Sequence, residues 1–365
     1  MKTVCDLNLC NGCMACAEKC PKKCISIIDN IKNFNAVIDE SICINCKLCQ
    51  RTCPNITKVK KLKPTEWMQG WAEKDIRVNS TSGGAAASII KKFIMEGGYV
   101  ASCLFRDGNF VFDITNDLTM AKKFAGSKYV KSNPSGIYNK IQERLKTDKV
   151  LFIGLPCQVA AVKNYIKNQD HLYTVDLICH GTPSIKLLEK YLEEKGYNIS
   201  NLEDIKFRNK LDMGLFINGK KVEKPRVLDD YLCTFLNSVN YTDNCYSCQY
   251  ASLDRVSDIT LGDSWGSEYV EEKNNGISLI LCQTEKGKEL IKGINMSIKD
   301  VDLNNAIKKN HQLIHPSVKT NKRDMFLTRI ISGKSYTYST FISLPKVVIK
   351  QIIKKLLIKL HLLKY

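Results

Sequence analysis

The sequence predicts an α+β chain: a small cysteine-rich module at the N-terminus, then an α/β region built on a parallel βαβα core. Three observations predict it. A C-x2-C-x2-C-x3-C-P run is written twice before residue 55. From residue 137 onward helical and strand periodicity alternate, the order that lays strands parallel with helices across the sheet. Cysteines then recur just past predicted strand ends, at Cys157 and Cys179, where open α/β sheets bind their ligands.

The first run is Cys10, Cys13, Cys16 and Cys20, followed by Pro21. The second is Cys43, Cys46, Cys49 and Cys53, followed by Pro54, each cysteine 33 residues after its counterpart. Three cysteines at i, i+3 and i+6 on a tight loop offer three sulfurs to one cubane cluster. In two-cluster bacterial ferredoxins the last cysteine of each run ligates the other cluster. The spacing therefore predicts a ferredoxin-like 2[4Fe–4S] module, with one cluster on Cys10, Cys13, Cys16 and Cys53 and the other on Cys43, Cys46, Cys49 and Cys20. Zinc sites pair short C-x2-C units, and disulfides require no internal repeat. Apolar stretches at 25–28 and 36–38 predict a hairpin covering the clusters. Cys5 and Cys24 fall outside the ligand pattern and read as small buried apolar residues.

At 365 residues the chain is expected to hold two or three domains. The N-terminus enters the cluster motif without a signal peptide, and no apolar run reaches spanning length. Seventeen cysteines in that setting predict metal sites in a reducing cytoplasm. The formal charge of +18 by itself permits nucleic-acid binding. Cluster chemistry instead favours acidic electron carriers or a membrane surface, with no nucleic-acid partner.

Taken in order, residues 1–62 form the two-cluster domain, and Lys58, Lys60, Lys61, Lys63 and Pro64 read as a basic linker. Ser80, Thr81, Ser82, Gly83 and Gly84 precede a helix over 85–94. Such a start either exposes backbone N–H groups to a phosphate or is an ordinary cap. Strands at 99–105 and 110–114 flank Asp107-Gly108, a hairpin turn. Gly126-Ser127-Lys128-Tyr129-Val130 follows a short helix, and Lys128 reads as an anion contact or a solvated lysine. Helix 137–146, strand 149–153, helix 159–167, strand 173–178 and helix 184–194 make the βαβα unit. If its strands are neighbours, Cys157 and Cys179 share one crevice. Cys245 and Cys248 add a C-x2-C pair. Four cysteines from three loops suit a third [4Fe–4S] cluster, while spacing equally allows zinc or a redox dithiol at Cys245/Cys248.

These motifs, together with Arg255-Val256-Ser257-Asp258-Ile259-Thr260-Leu261-Gly262-Asp263-Ser264-Trp265-Gly266, stand in an order that resembles the beta subunit of coenzyme F420 hydrogenases and dehydrogenases. That family also includes the hydroxymethyl-chlorophyll reductases. The resemblance covers about residues 70–300. It implies FAD beside a [4Fe–4S] cluster, and hence three [4Fe–4S] clusters in all, the third on Cys157, Cys179, Cys245 and Cys248. It implies a flavin phosphate site at Ser80, Thr81, Ser82, Gly83 and Gly84, with Lys128 and Tyr129 beside it. His180 is the candidate catalytic residue, bonding cluster or substrate, or else simply satisfied within its loop. Residues 70–148 and 149–330 then become the N- and C-terminal parts of the flavin- and cluster-binding region. The implied activity is an oxidoreductase passing electrons between clusters, FAD and an organic substrate or deazaflavin-like coenzyme. An electron-carrier protein or redox enzyme is its expected partner. An electron-transfer subunit without a substrate site and a redox sensor are the competing classes. Hydrogenase beta subunits take electrons from partner subunits, whereas this chain carries its own two-cluster module.

Residues 331–345 read as a linker. Residues 346–364 read as a helix with Lys346, Lys350, Lys354, Lys355 and Lys359 on one side and Val348, Ile349, Ile352, Ile353, Leu356, Leu357 and Leu360 on the other. That pattern fits a helix lying in a membrane surface, docking a partner, or packing on its own domain. The expected location is the cytoplasm, peripheral at the inner membrane face.

Overall fold

The computed structural model describes residues 1–362. Its centre is an eight-stranded sheet in the order Met296–Lys299, Glu66–Ala72, Ser278–Cys282, Ile259–Asp263, Leu172–Leu177, Val150–Gly154, Tyr99–Arg106, Asn109–Thr115. Four adjacent strands, from Ile259–Asp263 to Tyr99–Arg106, run parallel. The outer strands pair antiparallel. Val150–Gly154 and Ser278–Cys282 are buried at every position, as strands covered on both faces require.

Alternate residues of Val150–Gly154 divide between two cores. Val150 and Phe152 pack with Ile137, Tyr138, Ile141, Val159 and Val162, from helices Ile137–Arg144 and Pro156–Tyr165. Leu151 and Ile153 pack on the other face with Ile89 and Phe93 of helix Ala85–Met95. The βαβα unit is therefore parallel as expected, with strands Val150–Gly154 and Leu172–Leu177 adjacent and Gly154 opposite Asp176. The Asp107-Gly108 turn takes positive φ at both residues (50° and 73°), the geometry of the two-residue hairpin turn.

One helix starts earlier than its periodicity suggests. Pro156 occupies its first turn, and the Gln158 side chain accepts from Leu155 N–H at 2.9 Å. Proline's fixed φ suits that position, so Cys157 lies inside the first helical turn and not in a free loop.

In the N-terminal module the hairpin Ile25–Asp29/Phe34–Ile38 pairs Ile25 with Ile38 and Ile27 with Ala36. Short helices Ala15–Lys19 and Leu48–Thr52 lie within the two cysteine runs, each carrying the third cysteine and ending on the fourth. The module is fastened to the sheet region by specific bonds. The Glu18 carboxylate accepts from Gly136 and Asn139 N–H, both at 2.7 Å, where it complements the start of helix Ile137–Arg144. Ser184 Oγ donates to Asp29 at 2.5 Å. The basic stretch after the module is also held in place: Leu62 exchanges backbone bonds with Arg255, and Lys61 donates to Gln249 O.

A second sheet, Ile205–Asn209/Asp212–Ile217/Lys220–Lys221, packs with helices Ile185–Glu194, Asp230–Leu236 and Asn321–Ile331 around buried Tyr191, Tyr231 and Phe326. The expected linker at 331–345 is largely helical. Ser335 caps Tyr336–Ser343 by accepting from Tyr338 N–H, and Tyr336 is wholly buried against Tyr191 and Tyr231. A polar-looking Ser/Thr/Tyr segment is a helix here because its tyrosine fills the core. The final helix runs Pro345–Lys359. It ends at Lys359, with Leu360 as its C-cap and His361 at positive φ (57°), short of the expected end at Lys364; residues 363–365 lie outside the described residues.

Candidate metal centres and flavin site

The two N-terminal runs frame two separate cavities. Cys10, Cys13, Cys16 and Cys53 line one, and Cys20, Cys43, Cys46 and Cys49 line the other. This is the crossed grouping that the spacing predicts. It arises because helices Ala15–Lys19 and Leu48–Thr52 carry the fourth cysteine of each run across to the opposite loop. Met14 and Lys47, just ahead of these helices, adopt positive φ (61° and 58°), which turns each loop around its cavity.

The cavities differ in depth. The first four sulfurs are buried, while Cys20, Cys43, Cys46 and Cys49 are half-exposed. Burial pushes the thiols of Cys13, Cys16 and Cys49 up. Buried sulfurs grouped in this number suit a positively charged iron core, which holds cysteines as thiolates. Among the described residues no three His, Cys, Asp or Glu side chains close on a single ion. Cys5 and Cys24 are buried, as read from sequence, yet they are also cavity residues. Cys5 lines the first cavity, and Cys24 Sγ lies 3.4 Å from Cys20 Sγ in the second.

Cys157, Cys179, Cys245 and Cys248 gather beyond the carboxyl ends of the two adjacent parallel strands. Cys179 feels the charges of Cys245 and Cys248, and burial pushes its thiol up to about 12. Cys157 is likewise raised by burial and faces Cys248 and Cys179. Thr182 N–H donates to Cys245 Sγ at 3.4 Å. Gly181 lets the Cys179 loop fit, since a Cβ there would sit 2.4 Å from the Tyr241 ring.

A buried ion pair ties these loops together. Arg255 donates to Asp176 at 2.8 Å, to Leu177 O at 3.1 Å and to Tyr250 O at 2.7 Å. It thus links the strand end before Cys179 to the segment after Cys248.

This third group adjoins the first cavity. Cys13, Cys157 and Cys248 belong to one packed core with Tyr138 and Tyr250, and Tyr138 OH donates to Cys13 O. Between them stands Lys131. Its Nζ donates to Asn11 O at 2.9 Å, and the sulfurs of Cys157, Cys245, Cys179 and Cys10 hold its ammonium charged against the opposing effect of burial.

The Ser80–Gly84 loop meets Gly126–Val130 through Ser127 N–H donating to Thr81 Oγ1 at 3.1 Å. Gly83 is required by packing: a Cβ there would lie 2.4 Å from Ser278 N and 2.5 Å from Gly70 O. Helix Ala85–Met95 begins at Gly84 (φ 92°) with no side-chain cap. Tyr129 OH accepts from Arg208 at 3.4 Å. Lys128 does not join this site, because its ammonium turns back onto Phe124 O and Ala125 O, at 2.7 and 2.8 Å.

Cations that carry no sequence motif take its place. Arg208 donates to Thr81 O at 3.2 Å and pairs with Asp263 at 2.7 Å. Arg77 pairs with Glu272. Lys210 donates to the Arg77 and Ser82 carbonyls; burial and the charges of Arg77 and Arg208 lower its ammonium to about 8. Three cations with two carboxylate partners thus stand beside this helix start, where Ala85 N–H donates to Ser278 Oγ at 3.4 Å; the surplus positive charge suits an anionic group.

His180, at the rim beside Cys179, is bonded through Nδ1 to Gln312 Nε2 at 2.7 Å, and the same nitrogen reaches His311 Nε2 at 2.6 Å.

Residues 9–56 match the family model described as 4Fe-4S dicluster domain. Residues 147–304 match the model for the C terminus of the coenzyme F420 hydrogenase/dehydrogenase beta subunit. No curated protein matches the chain. Among solved structures, a chain of the F420-reducing [NiFe] hydrogenase complex from Methanosarcina barkeri has a similar fold, with a TM-score of 0.51 at 18% identity over 71% of this chain and 97% of that one. Among the described residues no helix is long and apolar enough to cross a membrane.

Proposed function

We propose that this iron–sulfur electron-transfer protein, which joins a 4Fe-4S dicluster domain to a beta-subunit-type domain of the coenzyme F420 hydrogenase/dehydrogenase family, is a self-contained flavin oxidoreductase. Three [4Fe–4S] groups would supply one-electron carriers, and FAD would supply two-electron exchange with an organic substrate or deazaflavin-like coenzyme. Cys20, Cys43, Cys46 and Cys49 would hold the outer cluster, beside exposed Ile42 and Ile44, where an electron-carrier protein docks. Cys10, Cys13, Cys16 and Cys53 would hold the middle cluster, and Cys157, Cys179, Cys245 and Cys248 the inner one. Thr81, Ser82, Gly83, Gly84, Tyr129, Arg208 and Lys210 would hold the flavin. Residues 1–62, 70–148 and 149–330 serve as the cluster module and the two parts of the flavin region. Such a set of thiol ligands works in a reducing compartment, which we take to be the cytoplasm.

The observation that carries this reading is the shared core of Cys13, Cys157 and Cys248, with Lys131 spanning from Asn11 to the third cysteine group. It sets the dicluster module and the third group against one packed core. Lys131 places one fixed positive charge where both sites gain a negative charge on reduction. Tyr138, Tyr250 and Asn244 fill the remaining space; Asn244 Nδ2 donates to Asn11 Oδ1 at 3.3 Å.

The test is substitution of the third group alone. The Cys157→Ser/Cys245→Ser double variant, purified without oxygen, should keep about eight irons of about twelve and retain the spectra of the N-terminal clusters. A variant with the wild-type iron content contradicts the assignment. The wild type should also reduce or oxidise its flavin with no other subunit present. Flavin turnover that appears only after a second subunit is added would favour an electron-transfer subunit, the reading suggested by the hydrogenase complex whose chain shares this fold.

A further inference from the structure

The helix Pro345–Lys359 presents its apolar residues to the wrong side for a helix of a globular domain. Its contacts with the body come from one face. Val348 and Ile358 are buried. The Gln351 side chain accepts from Leu228 N–H at 3.0 Å, Lys354 donates to Arg226 O at 2.6 Å, and Lys355 pairs with Glu223 at 2.6 Å. At about 100° per residue, the opposite face carries Ile349, Ile353, Leu356 and Leu360. These are 45%, 52%, 53% and 64% exposed, and adjacent Ile352 is 47% exposed. A surface helix ordinarily turns such a stripe toward the core and its charges toward water. Here the helix is anchored by polar and mixed contacts, and its aliphatic ridge points away.

The ridge is bordered by lysines. Lys346 and Lys350 lie along one edge and Lys359 along the other, all exposed. No Asp or Glu follows Pro345. From Ile349 to Leu360 the ridge is about 16 Å long, too short to span a bilayer.

We infer that this face docks on an anionic lipid surface, with the helix lying in the plane and its ridge among the acyl chains. Three features select lipid over protein. The ridge is purely branched aliphatic and lacks the Trp, Tyr and Arg anchors that concentrate binding energy in protein interfaces. Lysine is depleted in such interfaces but suits a membrane boundary, where its stem lies on the apolar face and its head reaches phosphates. A second copy would set lysine against lysine with no helix acid to pair them.

The experiment is sedimentation of the full-length holoprotein with phosphatidylcholine vesicles, with or without a third of phosphatidylglycerol, at low and high salt. The inference expects binding to the anionic vesicles that weakens with salt. Ile353→Glu/Leu356→Glu should reduce it at least tenfold. Lys346→Gln/Lys350→Gln/Lys359→Gln should weaken it by roughly fivefold per lysine removed. All the altered side chains point away from the body, so iron content should be unchanged. If the acidic pair misfolds, the lysine variant decides by itself. Protein that stays in the supernatant, that binds neutral vesicles equally well, or that forms a dimer abolished by Ile353→Glu/Leu356→Glu without binding vesicles overturns the inference.

Discussion

Removing the Arg255 guanidinium should loosen the third cysteine group before anything else. Arg255 is 2% exposed and its partner Asp176 is wholly buried. Arg255→Met leaves that carboxylate with no counter-charge and strips donors from Tyr250 O and Leu177 O. Breaking a buried pair from one side costs about 3–5 kcal/mol. At about 2.1 cal/mol/K of unfolding entropy per residue, 365 residues convert this to a fall of about 4–7 °C in the unfolding midpoint. The damage should be local, because the lost bonds join the two loops that carry Cys179 and Cys248. Iron should drop from about twelve toward about eight per chain, with the N-terminal clusters retained. Arg255→Lys keeps the charge but not the fork and should fall between wild type and Arg255→Met. Anaerobic calorimetry, iron analysis and electron paramagnetic resonance read these outcomes. Full iron content with less than about 1 kcal/mol of destabilisation, or equal loss from all three sites, would refute the reasoning.

Lys131→Met should lower the potentials of the two clusters it faces, because reduction adds negative charge beside a lost cation. The expected shift is on the order of 60 mV, equivalent to about 1.4 kcal/mol for one electron, measured by redox titration; unchanged potentials would contradict it. Lys210→Met should raise the dissociation constant for FAD about tenfold, read from the fluorescence of released flavin, whereas unaltered retention would remove Lys210 from the site. Asp229 caps helix Asp230–Leu236 from a buried position, accepting from Leu232 and Leu215 N–H, and burial pushes its carboxyl up to about 6. The folded state therefore keeps this proton longer than the unfolded chain. Its contribution is fully present below about pH 4 and is lost as pH rises through about 6. Asp229→Asn should gain on wild type by up to about 3 kcal/mol across that window; parallel stability–pH curves would contradict the assignment.

The grouping of the N-terminal cysteines around two cavities was legible because its information is covalent: i, i+3, i+6 spacing leaves the sulfurs little choice of neighbour. Cys157 and Cys179 were legible for a topological reason, since parallel strands deliver both to the same sheet edge. The remaining site residues carry no such signature. Arg208 reaches Thr81 from a strand 127 positions away, and Lys131 reads as one more lysine in a chain that carries an excess of them. Lys128 stood in the right motif but satisfies itself on carbonyls of its own loop. Cys5 and Cys24 read as buried filler, and only the fold brings them to the cavities. In the last helix, periodicity revealed an apolar stripe and a basic edge. It did not reveal the rotation that leaves Ile353 and Leu356 facing outward, because that depends on Gln351, Lys354 and Lys355 meeting distant partners.

The most direct test of the account is the cofactor content of the single chain, purified and reconstituted without oxygen. Iron, acid-labile sulfide and extracted flavin should be measured on one preparation. The account predicts about twelve irons, about twelve sulfides and one FAD per chain. A folded, monodisperse protein holding about eight irons and no flavin would contradict it.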